Sequence, residues 1–135
     1  VMHPTHALAN RDSLSIKDLS GFPMINFSPQ ANPITSDFNK QIFKKAGAQL
    51  NIVREIPNIE TAAFCASINE GIFIMPEYLL SSIGSLRTVP LTDSFAYVTL
   101  NLIWKKKNPN ISIPVFVDSF STYIQNRNPN LAPAD

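Results

Sequence analysis

The chain has 135 residues, the size of one ordinary domain with a real core. Hydrophobic residues make up 44% and charged residues only 16%, against a usual ~25%. That balance fits either a compact, well-buried domain or a surface normally covered by something else. A net charge of +1 leaves no electrostatic footprint for nucleic acid or an anionic membrane. The single cysteine, Cys65, builds neither a disulfide framework nor a zinc site, reads as a small buried hydrophobe and suits a reducing compartment. Residues 1–10 lack the apolar core of a signal peptide, and no apolar run approaches the ~18 residues of a membrane span. The opening Val1-Met2 reads as a cut from a longer sequence.

In chain order, residues 15–19 read as one helical turn with Ser15 as N-cap, ended by Gly21. Residues 22–27 form a buried strand, with Pro23 near its start. Residues 28–35 hold two prolines and no hydrophobic period, hence a loop. Residues 36–46 are an amphipathic helix with Phe38, Ile42, Phe43 and Ala46 on one stripe and Gly47 as its left-handed stop. Residues 51–56 alternate as a strand. Asn58 caps a helix over residues 59–70, whose small face of Ala62, Ala63 and Ala66 suits close packing and which Gly71 ends.

Residues 72–75 are a short, fully apolar run, expected as a buried parallel strand. Pro76 then opens a helix that continues through residues 78–83. Residues 86–91 read as an edge strand. Residues 95–105 carry the longest alternation, with Tyr97, Thr99, Asn101 and Ile103 on one face and Val98, Leu100, Leu102 and Trp104 on the other. Ser112 caps a final helix over residues 113–125, with Phe116, Phe120, Tyr123 and Ile124 on its apolar stripe, and residues 127–135 form a polar tail. Alternation of strands and helices argues an α/β fold with a mixed, mainly parallel sheet flanked by helices.

The order of short landmarks resembles the effector-binding domain of LysR-type transcriptional regulators. His6-Ala7-Leu8-Ala9 is similar to that family's His-Pro-Leu-Ala, with Ala7 in place of proline. Leu14-Ser15-Ile16-Lys17-Asp18-Leu19 followed by Phe22-Pro23-Met24-Ile25 resembles its leucine, short helix, Asp-Leu and Pro-x-Ile passage. Ile68-Asn69-Glu70-Gly71-Ile72-Phe73-Ile74-Met75-Pro76 resembles Gly-x-Gly-Ile-x-x-Leu-Pro, with Asn69 replacing the first glycine. Ala46-Gly47, the strand to Arg54-Glu55, Val89-Pro90-Leu91, Leu102-Ile103-Trp104-Lys105-Lys106 and the helix from Phe116 to Ile124 follow in the same order.

The resemblance implies a periplasmic-binding-protein-like fold of type II. Residues 1–9 would be an opening segment near the crossover between subdomains and residues 10–95 the second subdomain. Residues 96–126 would be the return strand and terminal helix of the first subdomain, with 127–135 as tail. It further implies a cytoplasmic regulator that binds a small-molecule effector, self-associates as a dimer or tetramer and meets promoter DNA through an N-terminal helix-turn-helix domain outside this chain, with no membrane partner. The return strand and last helix would lack part of their sheet, so apolar surface is expected at Val98, Leu100, Phe116 and Phe120.

The residues show no catalytic constellation. The four glycines stand far apart and form no phosphate loop, and no Gly-x-Ser-x-Gly elbow is present. His3 and His6 have no companion ligands for a metal, and the carboxylates are scattered, so neither an enzyme nor a cofactor is expected. The aromatic residues read as core rather than a ligand cage, and Lys105-Lys106-Lys107 as a solvated strand end.

The remaining candidates are loops at strand ends, where open α/β sheets bind ligands. Residues 28–35 and 57–61 each lead into a helix N-terminus, whose free N–H groups suit an anion such as a carboxylate. Ser28, Thr35, Asn58 and Thr61 add neutral hydrogen-bonding groups, although Ser28, Thr35, Ser36 and Asn58 also fit a plain capping role. In the resembled family effectors touch such loops, which points by position to Ser28, Pro33, Thr35, Asn58 and Glu60. A solute-binding protein of the same fold is the alternative reading. An enzyme of this fold, such as a dehydratase of cyclic acids, would need a clustered carboxylate or cationic pair that the chain lacks.

Overall fold

A computed structural model describes residues 1–99 and 101–127. The chain forms two compact units, Val1–Thr99 and Leu100–Asp135.

The first unit is built on two parallel strands. Strand β1 (Pro23–Phe27) pairs with β2 (Asn51–Ile56) from Pro23↔Asn51 to Phe27↔Ile56, with a register shift between Met24 and Ile25. Parallel neighbours need a crossover, and helix α1 (Pro33–Ala46) provides it. This helix starts three residues earlier than its hydrophobic period suggested. Pro33 takes the first-turn position, where its missing N–H costs nothing, and the Asn32 side chain accepts the Thr35 N–H at 3.0 Å. Gly47, at φ 64°, closes the helix in the left-handed region.

Alternation along β1 feeds two apolar clusters, one on each side of the sheet. Met24 joins Ile42, Phe43 and Ala46 of α1, together with Leu14, Ile16 and Leu19. Ile25 joins Ile56, Phe73, Ile83 and the small face of helix α2 (Ile59–Ser67), formed by Ala62, Cys65 and Ala66. The helix-sheet-helix layering therefore follows directly from the period-2 pattern of one five-residue strand.

Around this frame, Ser15 and Asp18 form a reciprocal capping box on a 3-10 turn over Ile16–Leu19. The Asp93 carboxylate accepts the Ile16 N–H at 2.7 Å and ties that turn to the end of the unit.

Several expected elements take a lesser form. Residues 72–75 make a single bridge, Met24↔Ile72, rather than a strand, although the Ile25 N–H donates to Ile72 O at 2.7 Å and the Ile72 N–H to Pro23 O at 2.9 Å. Residues 86–91 likewise make only the bridges Met2↔Arg87 and Leu14↔Leu91. The helix after Pro76 is a 3-10 segment, Glu77–Ser82.

Helix α2 ends at Ser67 rather than Glu70, and Asn69, not Gly71, adopts the positive φ, 58°. Gly71 serves another purpose. A Cβ there would meet Pro23 O at 2.7 Å, so only glycine lets Ile72 reach β1.

Among its described residues the second unit contains one helix, α3 (Ser112–Arg127). Its start is capped by Asn110, whose side chain accepts the Ser112 N–H at 2.9 Å, so Ser112 is the first helical residue and not the cap. The alternating stretch at residues 95–105 forms no strand among the described residues. A strand exists through its ladder, and no described segment supplies one. Exposed apolar surface is present where expected, at Val98, Phe116 and Phe120, and the two phenylalanine rings of α3 stack at 5.9 Å. Leu100 and the tail over 128–135 lie outside the described residues.

Candidate functional site

Because β1 and β2 are parallel neighbours, their carboxyl ends lie side by side, and the segments that leave them enter α1 and α2. The Ser28 N–H donates to Ile56 O at 2.9 Å, which joins the two exits directly. The five residues singled out from sequence divide between these exits. Ser28, Pro33 and Thr35 belong to the first, and Asn58 and Glu60 to the second.

Ser28 organises the first turn. Its hydroxyl oxygen accepts the Ala31 N–H at 3.2 Å and its carbonyl accepts the Asn32 N–H at 2.9 Å. Thr35 is capped rather than capping: Asn32 supplies the oxygen, and the Thr35 hydroxyl makes no hydrogen bond among the described residues. Pro33 is exposed at the first helical position.

Asn58 is the N-cap of α2. Its Oδ1 accepts both the Thr61 N–H at 2.9 Å and the Thr61 hydroxyl at 2.7 Å. Glu60 is exposed in the first turn, where its charge favours the helix dipole. The first amides of each helix, Ile34 on α1 and Ile59 and Glu60 on α2, have no backbone acceptor among the described residues. Two amide-rich, dipole-positive helix ends therefore open at the carboxyl ends of one strand pair, one from each face of the sheet, and each is fit to hydrogen-bond an anionic group.

Sequence reasoning missed the Asn32 cap, although asparagine directly before a proline that opens a helix is a readable signal. It also missed a buried polar layer beneath the first exit. Asn26, Ser36 and Asn39 are 2%, 0% and 4% exposed. Asn39 Nδ2 donates to Asn26 Oδ1 at 2.8 Å, and Asn26 Nδ2 to Ser36 Oγ at 3.4 Å. The hydrophobic stripe of α1 hides this layer, because Ser36 and Asn39 continue it as polar residues.

Other charged groups lie elsewhere. Arg54 and Glu70 form an ion pair, and Cys65 lies near Glu70, its carbonyl accepting the Glu70 N–H at 3.0 Å. The arginine hydrogen bonds hold the Glu70 carboxyl below its usual range, while burial first, then the Glu70 contact, pushes the Cys65 thiol up. A raised thiol pKa leaves little thiolate, so this cysteine fits its packing role. Among the described residues, no group of three His, Cys, Asp or Glu is placed to hold a metal, and no helix is long and apolar enough to cross a membrane. One surface depression of the first unit lies beside Ser20, Gly21 and Phe22, before β1, and the second unit has one beside Trp104, Lys105 and Asn108.

No curated protein matches the chain. The profile of the LysR substrate binding domain matches residues 1–123, nearly the whole sequence. That domain has the type II periplasmic-binding-protein-like fold, and the parallel β1–β2 pair between α1 and α2 is an α/β arrangement consistent with it. The chain belongs to the LysR substrate binding domain family.

Proposed function

We propose that this chain is the effector-sensing part of a LysR-type transcriptional regulator, and that the exits from β1 and β2 form one wall of its effector site. The reading rests on membership of a substrate-binding domain family. The observation that supports the site is the Ser28-to-Ile56 hydrogen bond, which joins the two strand exits that lead into the capped N-termini of α1 and α2. The effector is a small molecule with an anionic group. That group receives the Ile34, Ile59 and Glu60 amides, and the Thr35 and Ser28 hydroxyls complete the set. Pro33 and Asn58 shape the rim, and Glu60 selects for a hydroxyl or cationic substituent on the same molecule.

In this reading the wall spans residues 10–95, after an opening segment at 1–9 near the subdomain crossover. Residues 96–126 return to the first subdomain, which supplies the facing wall, and 127–135 form the tail. The chain performs no catalysis. Its regulator works in the cytoplasm as a dimer or tetramer, meets promoter DNA through a helix-turn-helix domain outside this sequence, and converts effector occupancy into a change in how the oligomer sits on DNA.

A thermal-shift screen of the chain against small mono- and dicarboxylates, with their amides as neutral controls, tests the site. The expected result is stabilisation by acids and not by amides, about 2.7 kcal/mol at a hundredfold excess over Kd. Thr35→Val keeps the shape and the Asn32 cap but removes the hydroxyl, and lowers the affinity about twofold to tenfold. Equal stabilisation by acids and amides, or none by either, contradicts the proposal.

A further inference from the structure

Basic and acidic side chains are unevenly divided along the chain. Residues 1–99 hold seven lysines and arginines against eight carboxylates, and residues 100–127 hold four against one, Asp118. The net charge of +1 therefore averages a near-neutral first unit and a cationic second one.

Three of those four cations are consecutive, Lys105, Lys106 and Lys107. The run ends no strand among the described residues. Instead the Asn108 N–H donates to Lys105 O at 3.0 Å, which closes a turn with Lys106 and Lys107 at its two corners. The turn is tied to α3 by a relay of side-chain acceptors. Asn108 Oδ1 accepts the Asn110 N–H at 3.0 Å, and Asn110 Oδ1 accepts the Ser112 N–H at 2.9 Å. All three lysines are exposed, and none pairs with a carboxylate among the described residues. The depression beside Trp104 is lined by Lys105 and Lys106 and by no carboxylate. A concave surface lined by one sign of charge concentrates the opposite one.

We infer that the turn at Lys105, Lys106 and Lys107 is a docking surface for the phosphate backbone of duplex DNA. Neighbouring ammonium groups repel one another, and a row of phosphates offsets that repulsion while releasing its own counterions. Asn108 and Asn110, the nearest groups able to read a base edge, have their oxygens occupied by backbone amides, so the contact is independent of sequence. The choice of DNA rests on the regulator reading, in which a separate domain keeps the duplex nearby at an effective concentration on the order of millimolar. Three phosphate contacts, weak by themselves at physiological salt, then add to the hold of that domain and bias how the oligomer lies on DNA.

Fluorescence anisotropy of a labelled duplex of arbitrary sequence, titrated with the 135-residue chain at low salt, tests the surface. The expected slope of log K against log salt is about −2.7, or about 0.9 for each of three phosphates, so a threefold rise in salt lowers the association constant about twentyfold. Emission from Trp104, the single tryptophan and the residue before the run, changes on binding. Lys106→Gln brings the slope to about −1.8, and Gln at all three positions abolishes binding, with the fold confirmed by circular dichroism. Phosphatidylserine vesicles are the rival polyanion. Three lysines fall short of the ~4–8 of lipid-binding clusters, and no association is expected at the same salt. Unchanged DNA binding in the triple variant, no DNA binding by the parent chain, or tighter binding to the vesicles overturns the inference. Stabilisation by carboxylates is read separately: its absence sinks the effector site and leaves the salt slope standing, and a missing slope leaves the effector site standing.

Discussion

The two units use apolar residues in opposite ways. In Val1–Thr99 the large side chains meet across a sheet: Phe43 and Phe73 are 1% exposed on opposite sides of β1. In the second unit the two phenylalanines of α3 lie open, with Phe116 at 55% and Phe120 at 43%. Both units carry amphipathic helices, so the helical pattern alone does not decide burial. What differs is the presence of a partner. Strand β1 has β2 on one side and the Ile72 bridge on the other, and each face of that core receives a helix. The stretch at 95–105 has the stronger alternation and no ladder among the described residues.

Phe43→Ala should break the first unit most severely. Removing a buried phenylalanine costs about 3–5 kcal/mol, a large share of the ~5–15 kcal/mol of an ordinary domain. Urea unfolding checks it through a fall in the midpoint. Gly71→Ala comes next. Its methyl would push against Pro23 O, and overpacking of this kind costs about 1–3 kcal/mol. Hydrogen exchange should show the Ile25 and Ile72 amides losing protection first. Asn58→Ala should cost about 0.5–2 kcal/mol by removing the α2 cap, with increased exchange at Thr61.

In the second unit, Phe116→Ser should leave stability within about 0.5 kcal/mol, as surface changes do. It should instead weaken concentration-dependent self-association in sedimentation velocity, because it removes half of the stacked pair. Equal destabilisation by Phe43→Ala and Phe116→Ser would erase the contrast between the units.

Acid sharpens the comparison by a smaller effect. Backbone and side-chain hydrogen bonds from Ser15 hold Asp18 below its usual 3.8, and Arg54 holds Glu70 below 4.5. A carboxylate lowered on folding stabilises above its unfolded pKa and loses that contribution as pH falls through the folded value. Stability of the first unit should therefore decline slightly below about pH 4.5. Asp18→Asn and Glu70→Gln together should flatten that part of the pH profile. His6 adds the same sign at higher pH. Burial lowers its pKa below 6.5, and its Nδ1 accepts the Leu8 N–H at 3.2 Å, so protonation opposes folding.

Much of this was legible in residue order. The apolar run at β1, the alternation at β2, a 3.6-residue stripe on α1, Asn58 before α2 and Gly47 after α1 each obey local rules. The misses share a cause, since they depend on what stands across space. Pro33 punctuates a loop until Asn32 is seen capping the helix it opens. Gly71 looks like a helix stop until the Pro23 carbonyl is seen against it. Residues 72–75 are apolar enough for a strand, yet only Ile72 reaches β1. For the site, strand-end logic found both exits, but not the Ser28-to-Ile56 bond that joins them or the polar layer below.

The central claim is that the exits of β1 and β2 receive an anionic effector. The most direct test is to titrate the isotope-labelled chain with small carboxylates and follow the backbone amides by NMR. The account predicts the largest shifts at Ile34, Thr35, Ile59 and Glu60, reduced in Thr35→Val. Shifts centred on Ser20–Phe22 or on Trp104–Asn108, or no response at these four amides to any carboxylate, would contradict it.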